Sequence, residues 1–181
     1  VRFTHQLLQE YFAARKMLAE IEAGRLRASE LWPPDRWWER SGWEEAAVLL
    51  TGMQADNCAP VLRWLAEANP EVAARCILDS GADVPDSLLL ELRASWLPRL
   101  TDLEREPAPQ ARAAVGRALG VLRLTTGETL DSRPGVRAIV GADRDHVPTP
   151  EIDWVPIEGG DFIYQKGTRR VESFHIARYL V

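Results

Sequence analysis

Residues 69–97 read NPEVAARCILDSGADVPDSLLLELRASWL, and their reading decides the fold class. Asn69-Pro70 pairs an N-cap residue, whose side chain can accept from a first-turn amide, with a proline at the first helical position, where a missing N–H costs nothing. A helix is predicted from Pro70, closing near Gly81, because glycine takes the left-handed backbone of a helix C-terminus at little cost. Asp83 and Pro85 repeat the arrangement and predict a second helix over 88–97, broken by Pro98. Two short helices joined by a brief turn read as an antiparallel hairpin.

The same grammar extends in both directions. Upstream, a helix is predicted around 60–68. Before it, Ser41-Gly42-Trp43-Glu44 reads as a capping box opening a helix over 43–53 that puts Trp43, Ala46, Ala47 and Leu50 on one side. At the start, Phe3, Leu7, Leu8, Phe12 and Leu18 recur at helical spacing, so one amphipathic helix should run to about Gly24. Downstream, a helix over 109–122 carries Ala113, Val115, Ala118, Leu119 and Leu122. The expected fold is mainly α: helical hairpins stacked as a small solenoid over 25–123, without a strict repeat period.

Beyond Thr125 the pattern changes. Residues 124–152 hold Gly127, Gly135 and Gly141 with Pro134, Pro148 and Pro150, show no helical period, and read as an extended linker. Residues 152–165, IDWVPIEGGDFIYQ, give two runs of β-formers around Glu158-Gly159-Gly160, which reads as a hairpin turning on the glycine pair. A third strand is expected over 171–179. Residues 153–181 are therefore a short β-stub.

Composition limits what this chain can do. Its 181 residues suffice for one or two small domains, and 46% hydrophobic with 27% charged residues is ordinary for a water-soluble chain. No apolar run approaches the roughly 20 residues of a membrane span, so no membrane partner is expected. A net charge of −5, with basic residues interleaved among acidic ones, argues against nucleic acid. Cys58 and Cys76 lie in apparent helices without His or Cys at ligand spacing, so they read as buried free thiols in a cytoplasmic protein and no metal site is assigned.

The N-terminal pattern Phe3-x-His5-x-x-x-Gln9-Glu10-Tyr11-x-Ala13-Ala14 resembles the end of the winged-helix domain in NACHT-type signal-transduction (STAND) NTPases. The resemblance makes residues 1–24 the last helix of such a domain, in agreement with a chain that begins at Val1 without an initiator Met. It implies that His5 approaches the β-phosphate of ADP in the intact parent, which would also hold ATP and Mg. An imidazole N–H can donate to a phosphate oxygen; the plainer reading is a helix-face histidine with a local hydrogen bond. The Gly-rich phosphate loop with its Lys and Ser/Thr is not in this chain, so no cofactor is expected to bind it alone. Residues 69–79 and 110–122 resemble helices of the HEAT-like repeats found beside NACHT modules.

The C-terminal residues Val155, Ile157, Gly159, Gly160, Phe162, Phe174, Ile176, Tyr179 and Val181 resemble the opening of the formylglycine-generating enzyme (sulfatase-modifying factor) family, whose fold is related to C-type lectins. Where that family usually has Met-Gly-Ser after the phenylalanine, this chain has Ile163-Tyr164-Gln165. The oxidase members use a late cysteine pair to bind copper. Cys58 and Cys76 lie upstream and do not map onto it, so no catalytic residue is assigned.

Other candidates have modest readings. Gln9 and Glu10 are a polar helix face or a tie to a neighbouring domain. Trp32, Trp37, Trp38 and Trp43 crowd together and form either a core wedge or an aromatic patch that docks another domain. His146 and His175 have no paired ligand, and Asp143, Asp145 and Glu151 lack calcium-loop spacing. The expectation is a non-catalytic inter-domain segment. Its partners in cis are an NTPase module and the remainder of a formylglycine-generating-enzyme-like domain, and a protein partner or a second copy of the chain is a further option. Two alternatives stand beside it: the N-terminal part of a cysteine-oxidising enzyme with a helical scaffold, and a helical protein-interaction adaptor. A phosphate loop upstream of Val1, and a late cysteine pair after Val181, would separate the three.

Overall fold

The computed structural model describes residues 6–131, 133, 138–140, 148–150 and 152–178. Phe3, His5, Asp143, Asp145, His146, Glu151, Tyr179 and Val181 lie outside the described residues. The chain divides into two compact units, Val1–Leu130 and Asp131–Val181.

The first unit is helical. Its α-helices are α1 (Gln6–Glu22), α2 (Ala28–Leu31), α3 (Glu44–Met53), α4 (Ala59–Ala68), α5 (Pro70–Asp79), α6 (Asp86–Trp96) and α7 (Pro109–Val121). They build two layers. In one, α1 packs on α3, α3 on α5 and α5 on α7; in the other, α2 packs on α4 and α4 on α6. Contacts of α4 with α3 and α5, and of α6 with α7, join the layers. Between them lies a core whose largest fully buried side chains include Trp32, Trp96, Leu50, Leu62, Leu65, Leu88, Leu119 and Leu122.

Local chemistry accounts for the boundaries. The Asn69 side-chain oxygen accepts from the Val72 amide at 3.0 Å, Pro70 is the first helical residue, and Gly81 sits at φ +70° just past the end. Its neighbour α6 starts differently. Pro85 itself occupies the cap, and its carbonyl receives the amides of Leu88 and Leu89, while no side chain caps the helix. Pro98 does not stop the chain either: residues 97–100 tighten into a 3-10 turn, which tolerates proline in its first positions.

At α3 half of the expected box forms. The Glu44 carboxylate accepts from the amides of Ser41 (2.7 Å) and Gly42 (2.9 Å), but the helix begins at Glu44 with Trp43 in the cap. Ala46, Ala47 and Leu50 are buried as expected, whereas Trp43 is 38% exposed. In α7 the buried face is Ala111, Ala114, Val115, Ala118 and Leu119, and Ala113 points outward.

The helical unit runs past 123. Leu130 donates its amide to the Leu122 carbonyl (2.9 Å), Gly127 turns the chain at φ +86°, and Asp86 at the start of α6 accepts from both the amide and the hydroxyl of Thr125. Residues 122–130 are thus a small hairpin of this unit and not the start of a linker.

The second unit is a set of antiparallel strand pairs. β1 (Ala138–Val140) pairs with β2 (Pro148–Pro150), within the stretch read as an extended linker. β3 (Trp154–Ile157) pairs with β6 (Phe174–Ala177), and β4 (Gly160–Tyr164) with β5 (Gly167–Val171). Both pairs keep one register, so residues 154–177 form a single ribbon folded at Gln165-Lys166. The Asp153–Arg178 ion pair (2.6 Å) extends it by one position.

The expected turn at Gly159-Gly160 is therefore wrong. Both residues of the actual two-residue turn have positive φ, 46° and 70°, the conformation whose twist matches a ribbon. Gly159 has another duty: a Cβ there would lie 2.7 Å from the Val171 carbonyl oxygen. The glycine permits close approach of the two strands.

Candidate functional site

Three features of the helical unit can carry interactions. The first is the start of α1. This helix has 17 residues and its layer partner α3 has 10, a difference equal to about 10 Å of helix at 1.5 Å per residue. Ala14 and Met17 are buried, and Leu18 and Ile21 pack against the core. The preceding turns hold Leu7 (65% exposed), Leu8 (48%), Tyr11 (38%) and Phe12 (51%). The stripe read as a core face is therefore buried only in its second half. Gln9 is exposed, and Glu10 accepts from Gln6 at 2.7 Å, so these two act as polar surface.

The second feature is the tryptophan cluster. Trp32 (1% exposed) and Trp37 (2%) belong to the core, so of the four only Trp38 and Trp43 present area at the outer surface. Trp38 is half-buried with its ring edge-on to Trp37, and Trp43 remains at the surface. The wedge is built on polar ties as well as on area. The Asn69 amide donates to the Trp37 carbonyl (2.7 Å), Trp64 Nε1 to the Leu26 carbonyl (3.2 Å), and Trp96 Nε1 to the Ala66 carbonyl (3.2 Å).

Beneath Trp37 lies a buried ion pair. Arg99 donates through Nε (2.5 Å) and Nη2 to Glu106, whose other oxygen accepts from Trp37 Nε1 at 3.2 Å. The guanidinium also stacks over the Trp37 ring, 4.8 Å from its centre. Burial pulls the Arg99 guanidinium below its ordinary value, against the opposing pull of the Glu106 carboxylate.

The third feature is a pair of clefts. One, of about 430 Å³, lies on the α3–α5–α7 layer and is lined by Trp38, Arg40, Glu44, Glu71, Arg75 and Arg117 among others. Two of its arginines are engaged: Arg75 bridges Glu45 on α3 (2.6 Å) and Arg117 bridges Glu71 on α5 (2.5 Å), as Arg63 on α4 bridges Glu91 on α6 (2.7 Å). These forks tie neighbouring helices within each layer. The other cleft, of about 580 Å³, is floored by Trp32, Trp37 and Trp64 and rimmed by Arg27 and Arg105. Sequence reasoning missed Trp64, Arg27, Arg99, Arg105 and Glu106, because nothing but the fold brings residues so far apart in the chain together.

Neither cysteine is poised for nucleophilic chemistry. Burial pushes the Cys76 thiol up to about 12 and raises Cys58 too, which leaves no thiolate near neutral pH. Among the described residues no group of three or more His, Cys, Asp or Glu could hold a metal ion, and no helix is long and apolar enough to cross a membrane. His175 is an exposed strand residue opposite Pro156. Compared with protein-family models, curated proteins and solved structures, the chain matches none.

Proposed function

We propose that this chain is a coupling segment of a cytoplasmic NACHT-type signal-transduction NTPase. In this reading a HEAT-like helical stack links a nucleotide-driven switch to a formylglycine-generating-enzyme-like sensor or effector domain. The observation that carries it is the exposed apolar start of α1: Leu7, Leu8 and Tyr11 stand on two turns of helix beyond the core-packed Ala14 and Met17. Apolar side chains grouped on one helix face mark a surface that another element covers. They belong to the same segment whose residues resemble the end of a winged helix. A two-layer stack suits the role, because each helix packs on its neighbours and a displacement applied at one end is felt along the stack.

The second unit supports the other half of the reading. Its ribbon leaves Trp154 (55% exposed), Ile163 (82%), Tyr164 (56%) and Ile176 (52%) on the surface. A two-stranded ribbon with this much uncovered apolar area needs further strands or a helix to be stable.

The test is nucleotide retention by the longer polypeptide this reading implies. His5→Ala removes a charge-assisted contact to phosphate of roughly 1.5–3 kcal/mol. If that contact exists only in the closed state, the open form gains about ten- to a hundredfold in population and ADP is lost faster. Wild-type ADP affinity together with earlier unfolding would make His5 a packing residue. A polypeptide that binds no nucleotide would overturn the reading.

A further inference from the structure

We infer that the larger cleft of the helical unit is a binding site for a single carboxylate carried on an apolar peptide segment. Its floor is aromatic: Trp32 and Trp64 meet edge to face, 6.3 Å between ring centres, and Trp37 lies beside them. A volume of about 580 Å³ lies within the range of sites that enclose small ligands or a few side chains.

Two observations give the occupant its chemistry. Trp32 lines this cleft, and its indole N–H is the buried side-chain donor that finds no acceptor among the described residues. The other indoles in this part of the core donate, Trp37 to Glu106, Trp64 to Leu26 and Trp96 to Ala66. An unsatisfied buried donor favours whatever acceptor is brought to it. The second observation is charge. Arg27 and Arg105 on the rim make no side-chain ion pair or hydrogen bond among the described residues, whereas Arg99 is held by Glu106. Three arginines against Glu67 and Glu106 leave the lining one positive charge in excess. One carboxylate neutralises that excess. A dianionic phosphate would overshoot it and face both glutamates. Tryptophan and arginine together are the residue types most enriched where binding energy concentrates. This inference is independent of the coupling reading, since the cleft lies within the helical unit and involves no nucleotide.

The experiment uses the full chain labelled with nitrogen-15 and follows the assigned Trp32 indole resonance. Three probes are titrated: the tripeptide acetyl-Phe-Glu-Leu-amide, its glutamine counterpart acetyl-Phe-Gln-Leu-amide, and phenyl phosphate. The glutamate peptide should shift the Trp32 resonance downfield and saturate, binding about tenfold more tightly than the glutamine peptide. Arg27→Gln/Arg105→Gln should remove most of that advantage, with the remaining indole resonances unmoved because both side chains are exposed. No saturable shift at Trp32, equal binding of the two peptides, or an unaffected double variant would each overturn the inference. Tighter binding of phenyl phosphate than of the glutamate peptide would overturn the assignment to a carboxylate.

Discussion

Replacing Glu106 by glutamine should unfold the helical unit far more readily than its single-atom change suggests. The Glu106 carboxylate neutralises Arg99 and receives Trp37 Nε1, and the two charged side chains are only 5% and 6% exposed. Glutamine fills the same volume but removes the charge and turns an amide NH2 toward donors. Arg99 is then a buried cation left with the Glu67 carbonyl at 3.3 Å and the face of the Trp37 ring, neither of which carries a compensating charge. Breaking a buried pair from one side costs about 3–5 kcal/mol, a third or more of the stability of an ordinary domain. For a unit of this size roughly 3–4 °C accompany each kcal/mol, so the melting temperature should fall by about 10–20 °C. The pair itself adds little over an apolar equivalent. Arg99→Met/Glu106→Gln, which keeps an oxygen for Trp37, should therefore recover at least half of the loss. Urea and thermal unfolding of the two variants beside the wild type measure this. A loss below about 1 kcal/mol for Glu106→Gln, or no recovery in the double variant, would refute the picture of a desolvated ion pair under Trp37.

Four further predictions follow from particular contacts. Gly52→Ala should destabilise by about 1–3 kcal/mol despite alanine's better helix propensity, because its Cβ would lie 2.8 Å from the Ser80 carbonyl oxygen; a stabilised variant would show that the end of α3 and the corner after α5 stand further apart. Hydrogen bonds from Arg25 and Lys16 hold the Glu20 carboxyl at about 2 instead of 4.5, so its contribution is present above the ordinary value and fades as pH falls towards 2; a carbon-13 titration midpoint near 4.5 would show that these pairs do not persist. Cys76 should resist alkylation at pH 8 until the chain unfolds, and the stability it lends should decline as pH rises above the ordinary thiol range, since burial favours the neutral thiol; rapid labelling of the folded chain contradicts this. In the ribbon, Gln165→Asn/Lys166→Gly should slow amide exchange along residues 154–177, because asparagine and glycine accept the positive φ that both positions adopt; unchanged exchange would place the turn elsewhere.

Where chemistry is local, the sequence was a good guide. Asn69-Pro70 and Gly81 bound α5 because an N-cap, a first-position proline and a left-handed glycine act over a few residues. Errors arose where tertiary context chose between local options. The Gly159-Gly160 pair looked like a turn, but close approach to Val171 and Ser173 is what requires Gly159, and the turn fell on two residues with no turn signature. The α1 stripe is legible as apolar; that Leu7 and Leu8 stay exposed depends on the length of α3, which periodicity in α1 cannot report. The cleft residues were invisible for a related reason. Arg27, Trp64 and Arg105 have no common spacing, and only the two-layer stack makes them neighbours.

The proposed role makes the exposed start of α1 a joint to a preceding module. Amide hydrogen exchange measures it most directly, comparing this chain alone with the same residues in a polypeptide extended upstream of Val1. Residues 7–12 should exchange at least about tenfold more slowly in the extended polypeptide, while residues 14–21, already packed on the core, should exchange as before. Equal exchange of residues 7–12 in the two polypeptides would contradict it.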